Sequence, residues 1–115
     1  DESGAPLAFG SDWPVSSGAP LDGIAVAATR RTAEGDPQGG WTPSEIITIE
    51  RALSAYTSGV ARQAFAEGQW GAITPGASAD LVWLDSDPRS TPPLEVPAVG
   101  VRATYLAGKP VYSTD

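Results

Sequence analysis

The chain has 115 residues, with 14 acidic against 7 basic side chains and neither histidine nor cysteine. Because the acids are scattered and no basic stripe exists, we expect neither nucleic-acid nor membrane binding, and no apolar run is long enough to span a bilayer. Without His or Cys the chain cannot by itself build a histidine-rich zinc site, a Ser-His-Asp triad or a Cys-His pair. Any catalysis must therefore use carboxylates or groups from elsewhere. The absence of Cys is compatible with a cytoplasmic location, which we predict.

The first predicted element is a strand. Residues 5–9, with the sequence APLAF, form a compact apolar run that is typical of a strand buried on both faces, as in a parallel sheet. A polar turn at 10–12 ends this run. Trp13-Pro14 then fixes the backbone direction, because a residue before proline avoids the helical region. Asp12, directly behind the strand, is the first candidate for chemistry.

The next stretch predicts a helix and a loop. Residues 21–31 favour a helix whose C-terminal arginines, Arg30 and Arg31, complement the helix dipole. Residues 32–40 are polar and rich in helix breakers, so we expect an exposed loop there.

A second helical region opens on the sequence TPSE at 42–45. This pattern predicts a capping box, with Thr42 as the cap and Glu45 reaching back to it. Apolar residues then recur at intervals of three and four, which indicates a core-facing helical stripe. Residues 57–59 predict a break, after which a short helix should end at Gly68. The stripe consists of Ile46, Ile49, Leu53, Tyr56 and Val60.

The last third of the chain is rich in β signals. It contains a Pro75-Gly76 turn, an apolar strand LVWL at 81–84, an extended connection PPLEVP at 92–97, and an alternating segment at 99–105 that leads into an AGK hairpin turn. Three or four short strands bury too little surface to be stable alone. We therefore expect them to pack on the helices or to join strands outside this sequence. The chain neither starts with Met nor contains one, which also suggests an excised segment.

Four stretches, which together cover nearly the whole chain, carry a resemblance to a known family. They are FGSDWPV at 9–15, TPSEIITIERALSAYTSGVARQAF at 42–65, GAITPGASADLVWLDSDP at 71–88 and VRATYLAGKPVY at 101–112. In this order they resemble the C-terminal part of a metal-dependent amidohydrolase, and more narrowly amidohydrolase family 3, which includes N-substituted formamide deformylase-like enzymes. The motif at 71–88 is shared by many amidohydrolases, and its combination with GSDWPV is more specific.

The resemblance implies an α/β fold in two parts. Residues 1–70 would be the eighth strand and following helices of a (β/α)8 TIM barrel, and residues 71–115 the C-terminal strands of a small β-sandwich. The family's divalent metal, which we expect to be zinc, is held by an HxH pair, an acidic or carboxylated-lysine ligand and further histidines, none of which maps here. Only the aspartate that ends the eighth strand maps, onto Asp12, as a catalytic residue and a metal ligand.

The function implied by the resemblance belongs to a full-length parent. That parent would hydrolyse a non-peptide C–N bond in a small amide or N-acyl substrate, using water activated by the metal. Its other partners would be the rest of the barrel and of the sandwich, with an oligomer left open. The isolated chain should bind no metal tightly and should be inactive, because the other ligands are missing.

Each candidate residue also has a purely structural explanation. Asp12 matches a turn or helix-capping aspartate, and Trp13 either shapes the substrate pocket or packs on the barrel rim. Ser11 lacks both a base and the G-x-S-x-G pattern, so a structural hydroxyl is favoured. Asp80 and Asp85 flank a strand, and we expect them to serve its ends rather than to form an acid–base pair.

Two rivals to a hydrolase fragment stay open at this point. One is a free-standing, non-catalytic α+β module that uses the turn aspartate and its aromatic residues for binding or interaction. The other is an isolated domain, partly swapped or oligomeric, with no activity of its own.

Overall fold

Helices occupy the first part of the chain and a small sheet the last part. The computed structural model describes residues 3–114. Its α-helices are α1 (Pro20–Thr29), α2 (Ile49–Tyr56) and α3 (Ser58–Gln63), and three 3-10 helices span Pro43–Glu45, Pro88–Ser90 and Pro93–Ala98. The strands β1 (Leu81–Leu84), β2 (Val101–Leu106) and β3 (Lys109–Ser113) form one antiparallel sheet in the order β1-β2-β3.

The sheet confirms the strand at 81–84 and the AGK hairpin. Thr104 of β2 pairs with Val82 on one side and with Tyr112 on the other. The turn residues Ala107 and Gly108 both have positive φ, 49° and 76°, as a two-residue turn needs in order to follow the twist of the strands.

The two acids that flank β1 accept backbone hydrogen bonds from residues next to β2. Asp80 Oδ1 accepts the N–H of Ala107 in the hairpin turn at 2.7 Å. Asp85 Oδ1 accepts the N–H of Gly100, just before β2, at 3.0 Å. Both carboxylates satisfy backbone donors at strand ends, so the structural assignment made from the sequence is confirmed.

A small core joins the helices to the last third of the chain. Ile24 and Ala25 of α1, Ala52 of α2 and Val96 of the 3-10 helix Pro93–Ala98 are buried against one another. Ile24 and Val96 are the largest fully buried side chains among the described residues. Partly buried apolar residues surround this cluster: Phe9, Leu21, Ala27, Ile47, Ile49, Leu53 and Tyr56.

The strand predicted at 5–9 does not form within the described residues. A strand requires a partner for its backbone hydrogen bonds, and in residues 3–114 no strand pairs with this segment. Ala5, Pro6 and Ala8 are exposed rather than buried. The segment is fixed to α2 instead, since the Phe9 N–H donates to the Ala55 carbonyl at 3.0 Å.

The first helix forms, but its last turn contains no arginine, contrary to the prediction. The helix α1 ends at Thr29, and Arg30 lies beyond it with a left-handed φ of 56°. Arg30 instead closes the predicted loop at 32–40: its Nε donates to the Trp41 carbonyl at 3.1 Å, and its guanidinium lies 5.5 Å from the centre of the Trp41 ring. The geometry is that of a cation–π contact.

The capping box predicted at 42–45 is also wrong. Thr42 has a φ of 52°, whereas a cap needs an extended backbone, and its side chain makes no capping hydrogen bond. The helix begins six residues later, where the Thr48 hydroxyl accepts the Arg51 N–H at 3.2 Å. Ile46 of the predicted stripe is therefore exposed outside the helix, whereas Ile49, Leu53 and Tyr56 pack on the core as expected.

Two further boundaries differ from the prediction. The break at Thr57 is confirmed, but α3 ends at Gln63 rather than at Gly68, because Phe65 has a φ of 56° that a helix cannot contain. The segment at 92–97 is not extended; Pro93–Ala98 forms a 3-10 helix. Proline suits the first turn of a helix, and the winding carries Val96 into the core.

Candidate functional site

Asp12 lies in a surface loop between Phe9 and α1. We call residues 10–19 the Asp12 loop. Asp12 has a φ of 52°, a left-handed conformation that aspartate adopts more readily than most residues. Its carbonyl accepts the Val15 N–H at 2.8 Å, and its side chain is exposed. The carboxylate is therefore accessible at the bend of the loop.

The loop is held together from within. Ser11 Oγ accepts the Trp13 N–H at 3.2 Å, the Ser16 hydroxyl donates to the Ser11 carbonyl, and Ser17 Oγ accepts the Ala19 N–H at 3.2 Å. The Ser11 hydroxyl thus has the structural function predicted for it. In the described chain, every hydrogen bond found for residues 10–18 joins two residues of the loop.

Trp13 extends from this loop into solvent. Its side chain is 73% exposed, and the peptide bond to Pro14 is cis. The indole lies beside Gly18, where an added Cβ would be 3.3 Å from Trp13 Cδ1. The indole is thus free to contact a further surface or a ligand next to Asp12.

A groove of about 400 Å³ opens beside the Asp12 loop. The Asp12 side chain is not part of its wall. Burial raises the pKa of the Tyr56 hydroxyl in this wall, and the charge of Asp22 raises it further. The wall is formed by residues of the loop, α1 and α2, among them Ser11, Ser16, Asp22, Val26, Arg30 and Tyr56.

The described residues do not make a metal centre. Among residues 3–114, no three His, Cys, Asp or Glu side chains come close enough to hold a metal ion together. Asp87, the acid with the most perturbed pKa there, is paired with Arg89 at 2.7 Å. Hydrogen bonds from Arg89 lower the Asp87 pKa to about 2, which identifies a surface ion pair rather than a site.

Two residues in the wall of the groove beside the Asp12 loop were not predicted from the sequence. Tyr56 was assigned only to the core stripe, and Gly23 was not singled out inside the predicted helix. A glycine inside a helix is a signal in its own right, because it is a poor helix former and often marks a close approach. An added Cβ at Gly23 would overlap the Tyr56 hydroxyl oxygen.

Comparison with known proteins gives the class of the chain. The model of the Amidohydrolase family matches residues 1–112. The chain therefore belongs to the amidohydrolase family, and the resemblance drawn from its motifs is confirmed. No solved structure matches the chain.

Particular relatives are longer than this chain. Protein LONG AFTER FAR-RED 3 of Arabidopsis thaliana is 41% identical over 92% of this chain, which covers 18% of that protein. The putative amidohydrolase YtcJ of Bacillus subtilis is 30% identical over 91% of the chain, and the N-substituted formamide deformylase of Arthrobacter pascens is 30% identical over 93%. The chain spans 20% and 19% of those two proteins.

The structure bears on membrane association only through its helices. In the part of the chain that it describes, none is both long and apolar enough to cross a membrane. The cytoplasmic location stays a prediction.

Proposed function

We propose that this chain is the C-terminal part of a longer amidohydrolase that cleaves a non-peptide C–N bond, with Asp12 as its catalytic carboxylate. The observation that carries the proposal is the family match over residues 1–112, combined with relatives about five times as long as the chain. The substrate class is a small amide or N-acyl compound. One relative is an N-substituted formamide deformylase by name, which supports that class.

Asp12 is suited to move a proton. It would accept the proton of the attacking water and pass it to the leaving nitrogen, a task that needs an accessible carboxylate. The structure supports this assignment through the exposure of Asp12 and its left-handed backbone. Backbone conformations of this kind are unfavourable for most residues and cluster at functional sites. Trp13, which is next to Asp12 and largely exposed, is proposed to contact the substrate.

A divalent metal, which we take to be zinc, is part of the proposal only for the longer protein. A single exposed carboxylate does not fit a zinc site, which needs three or four ligands, and the described residues provide no cluster of them. The remaining ligands would come from outside this chain. The metal, when bound, would polarise the substrate carbonyl and the attacking water.

The two-part division at residues 70 and 71 belongs to the same proposal. Grooves of about 440 and 400 Å³ open beside the segment that carries Leu7 and Phe9, as expected if barrel strands of the longer protein lie there. The sheet leaves large apolar side chains exposed that a second sheet would cover. They are Val82, Trp83, Leu106, Val111 and Tyr112.

The rival assignment, a free-standing binding module, has no support of comparable weight. Sequencing the gene upstream of residue 1 separates the two. We expect the reading frame to extend by several hundred residues and to encode an HxH pair after a predicted strand. A start codon directly before Asp1 would contradict both the hydrolase proposal and the proposed barrel and sandwich.

A further inference from the structure

Phe9 is fixed to α2 at two neighbouring positions. Its N–H donates to the Ala55 carbonyl at 3.0 Å, and its ring meets the Tyr56 ring edge to face, with centroids 5.5 Å apart and planes at 80°. Edge-to-face packing is a preferred arrangement of aromatic pairs. Phe9 immediately precedes the Asp12 loop, so Tyr56 holds the start of the loop.

The same tyrosine contacts the helix that follows the loop. An added Cβ at Gly23 of α1 would overlap the Tyr56 hydroxyl oxygen and would lie 3.0 Å from Cζ. The phenol ring therefore occupies the space that any side chain at position 23 would need. Glycine is among the poorest helix formers, and the ring of Tyr56 gives its presence in α1 a physical reason.

The Asp12 loop depends on its two ends for its orientation. The hydrogen bonds found for residues 10–18 in the described chain are all internal to the loop. They fix the shape of the loop but not its direction relative to the helices. That direction is set at Phe9 and at α1, and Tyr56 touches both.

We propose that the Tyr56 ring, wedged between Phe9 and Gly23, is a positioning residue that sets where the Asp12 carboxylate stands. This inference rests on the proposed function of Asp12. Proton transfer demands close geometry, and a misplacement of about 1 Å lowers a rate by about 100-fold. The ring rather than the hydroxyl makes the contact with Phe9, so the ring is the part that positions Asp12.

The test compares steady-state kinetics of variants of the longer protein. Tyr56→Leu removes the ring, and we expect kcat to fall at least tenfold while KM changes less than threefold. Tyr56→Phe keeps the ring and should stay within threefold of the unmodified protein. Val99→Ala is the matched control, because it truncates a buried side chain outside the core cluster on which Phe9 and Tyr56 pack, and its kcat should be unchanged.

A second pair of variants keeps the test decisive if Tyr56→Leu fails to fold. Gly23→Ala places a methyl group against the Tyr56 hydroxyl and should lower kcat. Combining it with Tyr56→Phe removes the closest overlap and should restore kcat to within threefold of Tyr56→Phe alone. If kcat does not recover in the double variant, the loss in Gly23→Ala does not come from displacement of the Tyr56 ring, and the inference is contradicted.

The link to Asp12 is tested in an Asp12→Asn background. If Tyr56 acts through the carboxylate, Tyr56→Leu should produce no further loss of the residual kcat there, since residues that act as a unit are not additive. Full additivity would overturn the positioning inference. Turnover retained by Asp12→Asn alone would instead remove Asp12 from the mechanism, so the two failures are distinguishable.

Discussion

Replacing Asp12 by Asn in the longer protein should lower kcat at least about 100-fold, the usual contribution of a positioned acid–base group. The amide cannot accept the proton of the attacking water. The fold should persist, because the Asp12 side chain is exposed and asparagine also tolerates its φ of 52°. The measurement is the rate of amine release, together with circular dichroism to verify the fold.

A matched control comes from Asp36, which is exposed. In the described chain its only hydrogen bond is the one that its backbone carbonyl accepts from the Thr32 N–H. Asp36→Asn makes the same chemical change at another loop and should leave kcat within about twofold, since it touches no group of the proposed reaction. Equal losses in the two variants would show a general effect of charge. Undiminished turnover in Asp12→Asn would remove the residue from the mechanism.

Ile24→Ala should lower the free energy of unfolding of the 115-residue chain by about 2–5 kcal/mol, the range for truncating a buried Ile to Ala. Ile24 is a residue of α1 that is 1% exposed and packs against α2 and Val96. Its truncation therefore leaves a cavity where three elements meet. Urea unfolding followed by tryptophan fluorescence measures the change. If the Ile24→Ala variant is already unfolded without urea while the unmodified chain is folded, the loss of stability is larger than this range but in the expected direction.

Ile73→Ala is the control for that experiment. Ile73 is 90% exposed, and exposed substitutions change the stability by about 0.5 kcal/mol or less. A loss for Ile73→Ala as large as that for Ile24→Ala would contradict the position of the core. A loss below about 0.5 kcal/mol for Ile24→Ala would contradict the position of the core as well.

Elements whose signals are local were predictable from the sequence. The LVWL strand, the AGK hairpin and the break at Thr57 depend on residues within a few positions of one another, and all three are present. The capping box failed because Thr42 and Thr48 both suit a helix start, and only the backbone angle of Thr42 excludes it. Local sequence does not contain that angle.

Elements that depend on distant partners were not predictable. The run at 5–9 has the composition of a buried strand, but a strand forms only where another strand pairs with it. The 3-10 helix at Pro93–Ala98 forms because Val96 finds a buried place against α1 and α2. In the candidate site, Asp12 was proposed from its motif, whereas the contact of Tyr56 with Gly23 joins residues far apart in sequence.

The most direct test of the proposed hydrolase is amine release by the longer protein from a panel of N-formyl and N-acyl amines. Mass spectrometry would follow the free amine before and after the metal is removed by a chelator. We expect the amine to appear, to stop appearing once the metal is removed, and to return when zinc is added back. Amine release that continues at full rate without metal, or a folded, zinc-loaded protein that releases no amine from any member of the panel, would contradict it.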